Sequence, residues 1–308
     1  MLTPSPTRPA HVQDGRFAPS PTGPLHLGSL RTALLAWLFA RSQSARFLVR
    51  IEDLDPQRSR REYEQAQLDD LRILGLDWDE TPVRQSERMP MYEAALARLD
   101  AHNRLYPCFC TRAEIREAAS APHGALPEGG YPGTCRALSA SERARRLESG
   151  RPYALRVRAE GEQITFHDRI LGRSGGVVDD FVVRRADGVP AYQLAVVVDD
   201  ADQGIGEVVR GDDLLDSTPR QILLARLLGL SAPQYAHVPL VLGADGARMA
   251  KRRRPPGLAD RQEPPAATLA LLAHTLGLAR GRDRVRRPAD LLAEFDPTRL
   301  PRDPAVIA

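Results

Sequence analysis

Three short segments of this chain carry residue types whose spacing suits chemistry. The first holds Lys251, the one lysine in the sequence; every other basic side chain of the Lys and Arg set is arginine. It lies in GARMAKRRR, a basic segment that begins at Gly246, just beyond the apolar run VPLVLG. Arginine is a rigid planar fork, whereas lysine is a compact point charge on a flexible stem. A site that must press one positive charge between phosphate oxygens can require the second and reject the first. The next segment is Pro24-Leu25-His26-Leu27-Gly28-Ser29, at the point where a strand and its loop open into a helix. A helix N-terminus offers backbone N–H groups and the positive end of a dipole, which suits phosphate. Gly28 lets a nucleotide approach the backbone, and His26 can donate to phosphate oxygens. The last is Cys108-x-Cys110 followed by Tyr131-x-x-x-Cys135, a stretch that contains all three cysteines of the chain. Three thiolates with one nitrogen or oxygen ligand close a tetrahedral zinc site. Three reduced thiols are the alternative.

Elements must hold these groups in place. GRFAPSPTGPLHLGSLRTALLAWLFARSQ reads as a strand, a proline-broken loop and a helix, with Leu30, Leu34, Leu35 and Leu38 on one buried face. SARFLVRIEDLD reads as a strand, with Phe47, Val49 and Ile51 on one side and Leu48, Arg50 and Glu52 on the other. Helices are expected over Arg61 to Leu74 and around Met91 to His102. From Pro107 to about Gly150 the pattern breaks, with the flexible stretch PHGALPEGGYPG. YALRVR, ITFHDRI, FVVRR and YQLAVVVDD read as strands. TPRQILLARLLGL follows as a helix, capped by Ser217 or Thr218 with Pro219 in its first turn. Past Pro255 one helix stands out, ATLALLAHTLGL. Strands alternating with helices predict an α/β fold with a largely parallel sheet.

Composition sets the outer limits. The 308 residues suffice for roughly two domains. With 42% apolar and 27% charged residues the chain is an ordinary globular one. A net charge of +3 excludes a polybasic nucleic-acid binder, so any nucleic acid must meet a local arginine-lined face. The 5% aromatic content argues against a base-stacking single-strand binder. No apolar run reaches the ~18 residues that span a membrane, so a membrane role is not expected. Residues 1–14 read as a disordered leader on a cytoplasmic protein.

Taken together the motifs resemble the class I aminoacyl-tRNA synthetases of the glutamyl type. HLGS matches their HIGH signature, and Arg248-Met249-Ala250-Lys251-Arg252 their KMSKS signature. RFAPSPTGPLHLGSLRTAL, RIEDLDPQRS and YQLAVVVDDADQGIGEVVRGDDLLDSTPRQ extend the likeness from residue 16 to about 254. It implies a Rossmann-type parallel sheet in two halves, 15–106 and 151–254, with a zinc-binding insertion at 107–150 and a small helical region at 255–308. It also implies a glutamate pocket of Arg16, Ser20, Glu52, Tyr192 and Arg210. His26, Gly28, Ser29 and Lys251 would meet ATP with its magnesium, His26 and Lys251 as the catalytic pair. Cys108, Cys110, Tyr131 and Cys135 would hold one structural zinc, with His123 the rival for the Tyr131 position. Three positions depart from the pattern: Val196, where a polar asparagine is common, implies weaker glutamate affinity, and Arg248 and Ala250 replace the usual lysine and serine.

The sequence stops at LLAEFDPTRLPRDPAVIA, about where a helical anticodon-reading domain would begin. A glutamyl-type core with a tyrosine-containing zinc cluster and no such domain resembles the glutamyl-Q tRNA(Asp) synthetases. That likeness implies tRNA-independent activation of L-glutamate by ATP, then transfer to queuosine at the wobble position of tRNA(Asp). The alternatives are a glutamylase of a tRNA 3′ end or small acceptor, and a catalytically silent synthetase-like module. The retained HLGS loop and Lys251 weigh against the last.

Overall fold

The computed structural model describes residues 13–119, 130–243, 246, 258, 261–278 and 285–307. In chain order the elements are β1 (Asp14–Phe17), α1 (Leu27–Ser42), β2 (Phe47–Ile51), α2 (Arg61–Ile73), β3 (Val83–Arg84), α3 (Met89–Ala101) and β4 (Leu105–Cys108). Then come α4 (Arg112–Ala119), α5 (Ala140–Glu148), β5 (Ala154–Val157), β6 (Gln163–Asp168), β7 (Gly172–Val177) and β8 (Val182–Arg184). The remainder are α6 (Tyr192–Asp202), β9 (Ile205–Gly211), α7 (Thr218–Leu227), β10 (Gln234–Val238), β11 (Val241–Gly243), α8 (Pro265–Thr275) and β12 (Ala305–Ile307).

A seven-stranded sheet in the order β3-β2-β1-β9-β10-β6-β7 forms the centre. All its pairings are parallel except β6 with β7, an antiparallel hairpin at the edge. The α/β fold with a largely parallel sheet expected from the sequence is therefore present. The alternation in β2 holds as well. Phe47, Val49 and Ile51 join the core shared with α1, while Leu48 packs on the opposite face with Ile205, Val208 and Tyr235.

Helix α1 differs from its one-faced reading. Leu30, Ala33, Leu34, Leu35, Ala36, Leu38 and Phe39 are all buried, because α1 is held between the sheet and α8. Gly15 permits the close approach: a Cβ there would stand 3.3 Å from the Ala40 Cβ. YQLAVVVDD is a second correction, being helix α6 and not a strand. Its Val196–Val198 run favours strands by local preference, but α6 is buried on several sides between α3, α7 and the sheet. An element covered all round loses the polar face that reveals helical period.

The expected strands YALRVR and FVVRR form with β4 a separate antiparallel sheet, β4-β5-β8. This sheet draws strands from both sides of the cysteine stretch, so the position 150 boundary falls inside it. Helices α4 and α5 lie within the stretch read as unpatterned, and α5 starts with a Ser139–Glu142 capping box. Asp14, placed in the leader by sequence, opens β1 and accepts from the Arg46 backbone N–H and guanidinium at 2.7–2.8 Å. Leu269, Leu272, Leu291 and Leu300 share the α1 core, so the described C-terminal residues are packed against α1 and the central sheet. No helix among the described residues is long and apolar enough to cross a membrane.

Candidate active site and cysteine centre

The parallel strands β2, β1 and β9 end side by side, the usual place for a ligand in an open α/β sheet. Arg16 comes from β1, Glu52 follows β2, Arg210 sits near the end of β9, and Tyr192 opens α6. With Ser20, His26, Gly28 and Ser29 they line one cleft of about 1150 Å³. All the glutamate-pocket residues expected from the sequence are thus brought together, as are the described members of the nucleotide set. Val196 is buried in the α6–α7 core and is not among the cleft-lining residues. Lys251, with Arg248 and Ala250, lies outside the described residues.

The loop between β1 and α1 is strapped from beneath. Glu52 N–H donates to the Pro19 carbonyl at 2.9 Å, and the Gln67 amide donates to the carbonyls of Ser20 and Gly23 at 3.1 and 2.7 Å. At the start of α1, His26 is the N-cap, its Nδ1 accepting the Ser29 N–H at 3.2 Å. That amide is therefore taken by the cap and not free for phosphate. With Nδ1 an acceptor, the neutral ring carries its proton on Nε2, which stands 3.1 Å from Ser29 Oγ. Burial lowers the His26 pKa, against a smaller pull from Asp213, and so favours that neutral ring. Gly28 leaves room for the imidazole, since a Cβ there would lie 3.0 Å from Nδ1.

Beneath the end of the cleft formed by Arg16 and Glu52 lies a charge lattice that the sequence analysis did not find. Arg50 is fully buried and donates to Asp200 Oδ1 at 2.7 Å and to Glu52 Oε1 at 3.4 Å. Asp200 also takes the Arg16 Nε–H at 3.3 Å. Asp199 collects Tyr92, Gln85 and Arg88. Glu52 and Arg16 are thus fixed through shared partners. Burial raises the Glu52 pKa, with Arg50 and Arg16 opposing it. Reading α6 as a strand hid Asp199 and Asp200; two adjacent carboxylates ending an apolar run were the available signal.

Arg210 is buried and its donors are all engaged. Nε–H donates to His237 Nε2 at 3.1 Å, one terminal nitrogen to Gln221 Oε1 at 2.7 Å, and the other to Thr218 Oγ1 at 2.8 Å. Longer contacts of 3.4 Å reach Tyr192 OH and the Leu214 carbonyl. Thr218, expected as a helix cap, serves Arg210 instead, and Ser217 makes no side-chain cap bond. His237 in turn faces Asp168 at 2.6 Å. Arg16, Arg210, Glu52 and Tyr192 together present two cations, an anion and a hydroxyl, which suits a zwitterion with a second carboxylate.

Away from the cleft, the thiols of Cys108, Cys110 and Cys135 lie within 4.8 Å of one another. Tyr131 OH stands 3.4 Å from Cys108 Sγ and 3.6 Å from Cys110 Sγ, and Cys110 and Cys135 sulfurs are 3.4 Å apart. A tetrahedral ion with 2.3 Å metal–sulfur bonds sets its ligands about 3.7 Å apart, so the four groups fit one. Phe109 N–H donates to Cys135 Sγ and Cys135 N–H to Tyr131 OH, at 3.3 and 2.7 Å, bonds that favour anionic donors. The Arg156 guanidinium over the Tyr131 ring, 3.7 Å from its centroid, adds to this. Burial pushes the Cys110 thiol up to about 12 in the absence of a cation. His123, the rival ligand, lies outside the described residues.

A family model described as tRNA synthetases class I (E and Q), catalytic domain, matches residues 13–283. The chain is 58% identical over 296 residues to the glutamyl-Q tRNA(Asp) synthetase of Nocardia farcinica, covering 95% of this chain and 92% of that one. It is 51% identical over 308 residues to the protein of the same name from Symbiobacterium thermophilum, covering 95% of each. Among solved structures, a glutamate tRNA ligase from Elizabethkingia meningosepticum in complex with its amino acid superposes with a TM-score of 0.82 at 28% identity. That match covers 97% of this chain and 67% of the other.

Proposed function

The chain belongs to the class I tRNA synthetases for glutamate and glutamine and is a ligase; on that premise we propose that it activates L-glutamate with ATP, without tRNA, and passes it to queuosine of tRNA(Asp). One observation carries the chemistry: Arg16, Glu52, Tyr192 and Arg210 share a single cleft with the His26–Ser29 turn. A glutamate held there has its ammonium beside Glu52 and its carboxylates beside the two arginines. The His26 Nε2–H and the first turn of α1, apart from the Ser29 N–H that the cap holds, take phosphate oxygens. Lys251 supplies the charge at the leaving phosphates.

In the first step a substrate carboxylate oxygen attacks the α-phosphorus, and the bond to pyrophosphate breaks. In the next, a hydroxyl of the queuosine cyclopentenediol attacks the acyl carbon and AMP leaves, its phosphate able to take the proton. The protein contributes positioning and preorganised charge. Magnesium accompanies the ATP. We assign zinc to Cys108, Cys110, Cys135 and Tyr131, which would hold it with four protein ligands, so that it would tie the insertion together rather than take part in catalysis. The acceptor reading is supported by the names of the two relatives above, both glutamyl-Q tRNA(Asp) synthetases.

Glutamate-dependent exchange of pyrophosphate into ATP, run with and without tRNA, tests activation. Equal rates are expected; a strict need for tRNA overturns tRNA-independence. Charging of queuosine-containing tRNA(Asp) after enzymatic removal of its 3′ terminal adenosine tests the acceptor. Labelling should persist, and its disappearance overturns queuosine as acceptor.

A further inference from the structure

Arg210 is placed by a buried pair that no cleft residue requires for its own sake. Asp168, at the end of β6, and His237, in β10, are both fully buried. Asp168 accepts the N–H groups of Ile170 and Leu171 at 2.9 Å, that of His237 at 3.0 Å, and faces His237 Nδ1 at 2.6 Å. Burial works against charge on Asp168, but its His237 and amide bonds prevail and hold the carboxyl below its ordinary range. Burial likewise keeps the His237 pKa low. A guanidinium can only donate, so His237 Nε2 must be the acceptor for Arg210 Nε–H, and the imidazole proton must sit on Nδ1. Register agrees, for Arg210 and His237 are paired across β9 and β10.

We propose that Asp168 and His237 are positioning residues for Arg210. Asp168 locks the imidazole in its Nδ1–H tautomer, so that Nε2 holds the Arg210 Nε–H and leaves the terminal edge of the guanidinium for the substrate carboxylate. That edge makes the two longest contacts, 3.4 Å to Tyr192 OH and the Leu214 carbonyl, which are the ones an incoming carboxylate displaces most readily. The inference rests on Arg210 receiving a carboxylate of the substrate.

The test compares Asp168→Asn, His237→Leu, His237→Gln and Arg210→Gln by pyrophosphate exchange, with separate KM values for glutamate and ATP and a Tm for each. In Asp168→Asn the amide can donate to Nδ1, moving the imidazole proton to Nε2 against Arg210. Glutamate KM should rise by about tenfold or more while kcat falls by less than about threefold and ATP KM holds. His237→Leu should match it, and His237→Gln, whose amide oxygen can accept from Arg210, should recover most of the loss. If His237→Leu fails to fold, Asp168→Asn and His237→Gln carry the comparison. Glutamate KM within about threefold of wild type in Asp168→Asn, with Arg210→Gln impaired, overturns the proposal. Equal losses in kcat and both KM values, with no advantage for Gln over Leu, do so as well by showing a structural role. Normal glutamate KM in Arg210→Gln instead overturns the assignment of Arg210 on which the inference stands.

Discussion

At the scale of single residues the charges of the cleft have separable duties. Glu52 lies within a lattice of buried arginines and aspartates, and the proposed function sets its carboxylate beside a substrate ammonium. Glu52→Gln keeps the shape and removes the charge. Loss of a charged hydrogen bond of about 1.5–3 kcal/mol should raise glutamate KM by roughly ten- to a hundredfold in the exchange assay. A KM within about twofold of wild type would remove Glu52 from the pocket. Its raised pKa also sets a pH dependence with two opposite signs. As pH falls through that raised value Glu52 protonates and glutamate KM rises. The empty fold binds this proton more tightly than the unfolded chain does, so this group alone makes the fold more stable in acid. Acid loss of glutamate affinity should therefore precede unfolding, and Glu52→Gln should flatten the KM profile. Lys251 gives the other test at this scale. Its replacement by arginine keeps the charge but widens and flattens it, and should lower exchange by roughly 10²–10³, the scale of one preorganised donor. A near-normal rate would make the single lysine an accident of composition.

Among elements, the cysteine insertion and α1 show how little local chain is needed to place a group. Among the described residues the insertion and its flanking strand share a small core of Tyr106, Cys108, Phe109, Tyr131 and Cys135, so the zinc proposed there would supply a large part of what orders it. Metal analysis of protein purified without added zinc should find one zinc per chain, and Cys108→Ser/Cys135→Ser should lose it and lower Tm. Zinc retained in that double variant would sink the assignment. Tyr131→Phe should weaken zinc retention against a chelator while leaving the three thiols in place; unchanged retention would exclude Tyr131 as the fourth ligand. Helix α1 works differently, its N-cap imidazole closing on Ser29 because Gly28 has no side chain to obstruct it.

On the scale of the whole molecule, the site depends on packing far from it. Leu272 of α8 is fully buried in the core that holds α1. Arg31 of α1 donates to the carbonyls of Pro239 and Thr275, tying α1 to the β10 exit and to α8. Leu272→Ala should cost about 2–5 kcal/mol by denaturant unfolding, a loss that no substrate contact explains. A cost below about 1 kcal/mol would mean that α8 is not part of this core. Much was already legible in the sequence. HLGS and the cysteine spacing stood out by residue type and β2 by the alternation of its two faces, whereas Arg16, Glu52, Tyr192 and Arg210 were marked only by the family likeness, being ordinary residues taken singly. What the sequence by itself determined was the α/β class, a set of candidate groups, and the strands β1 and β2 that place Arg16 and Glu52. Tertiary structure alone decided that YQLAVVVDD is a helix, that Arg50, Asp199 and Asp200 support Glu52, and that Asp168 acts on Arg210 through His237. Periodicity reports a boundary between water and core, and these residues lie where no such boundary passes. A buried ion lattice is assembled from segments up to 184 residues apart, as between Arg16 and Asp200, and no local pattern records that proximity.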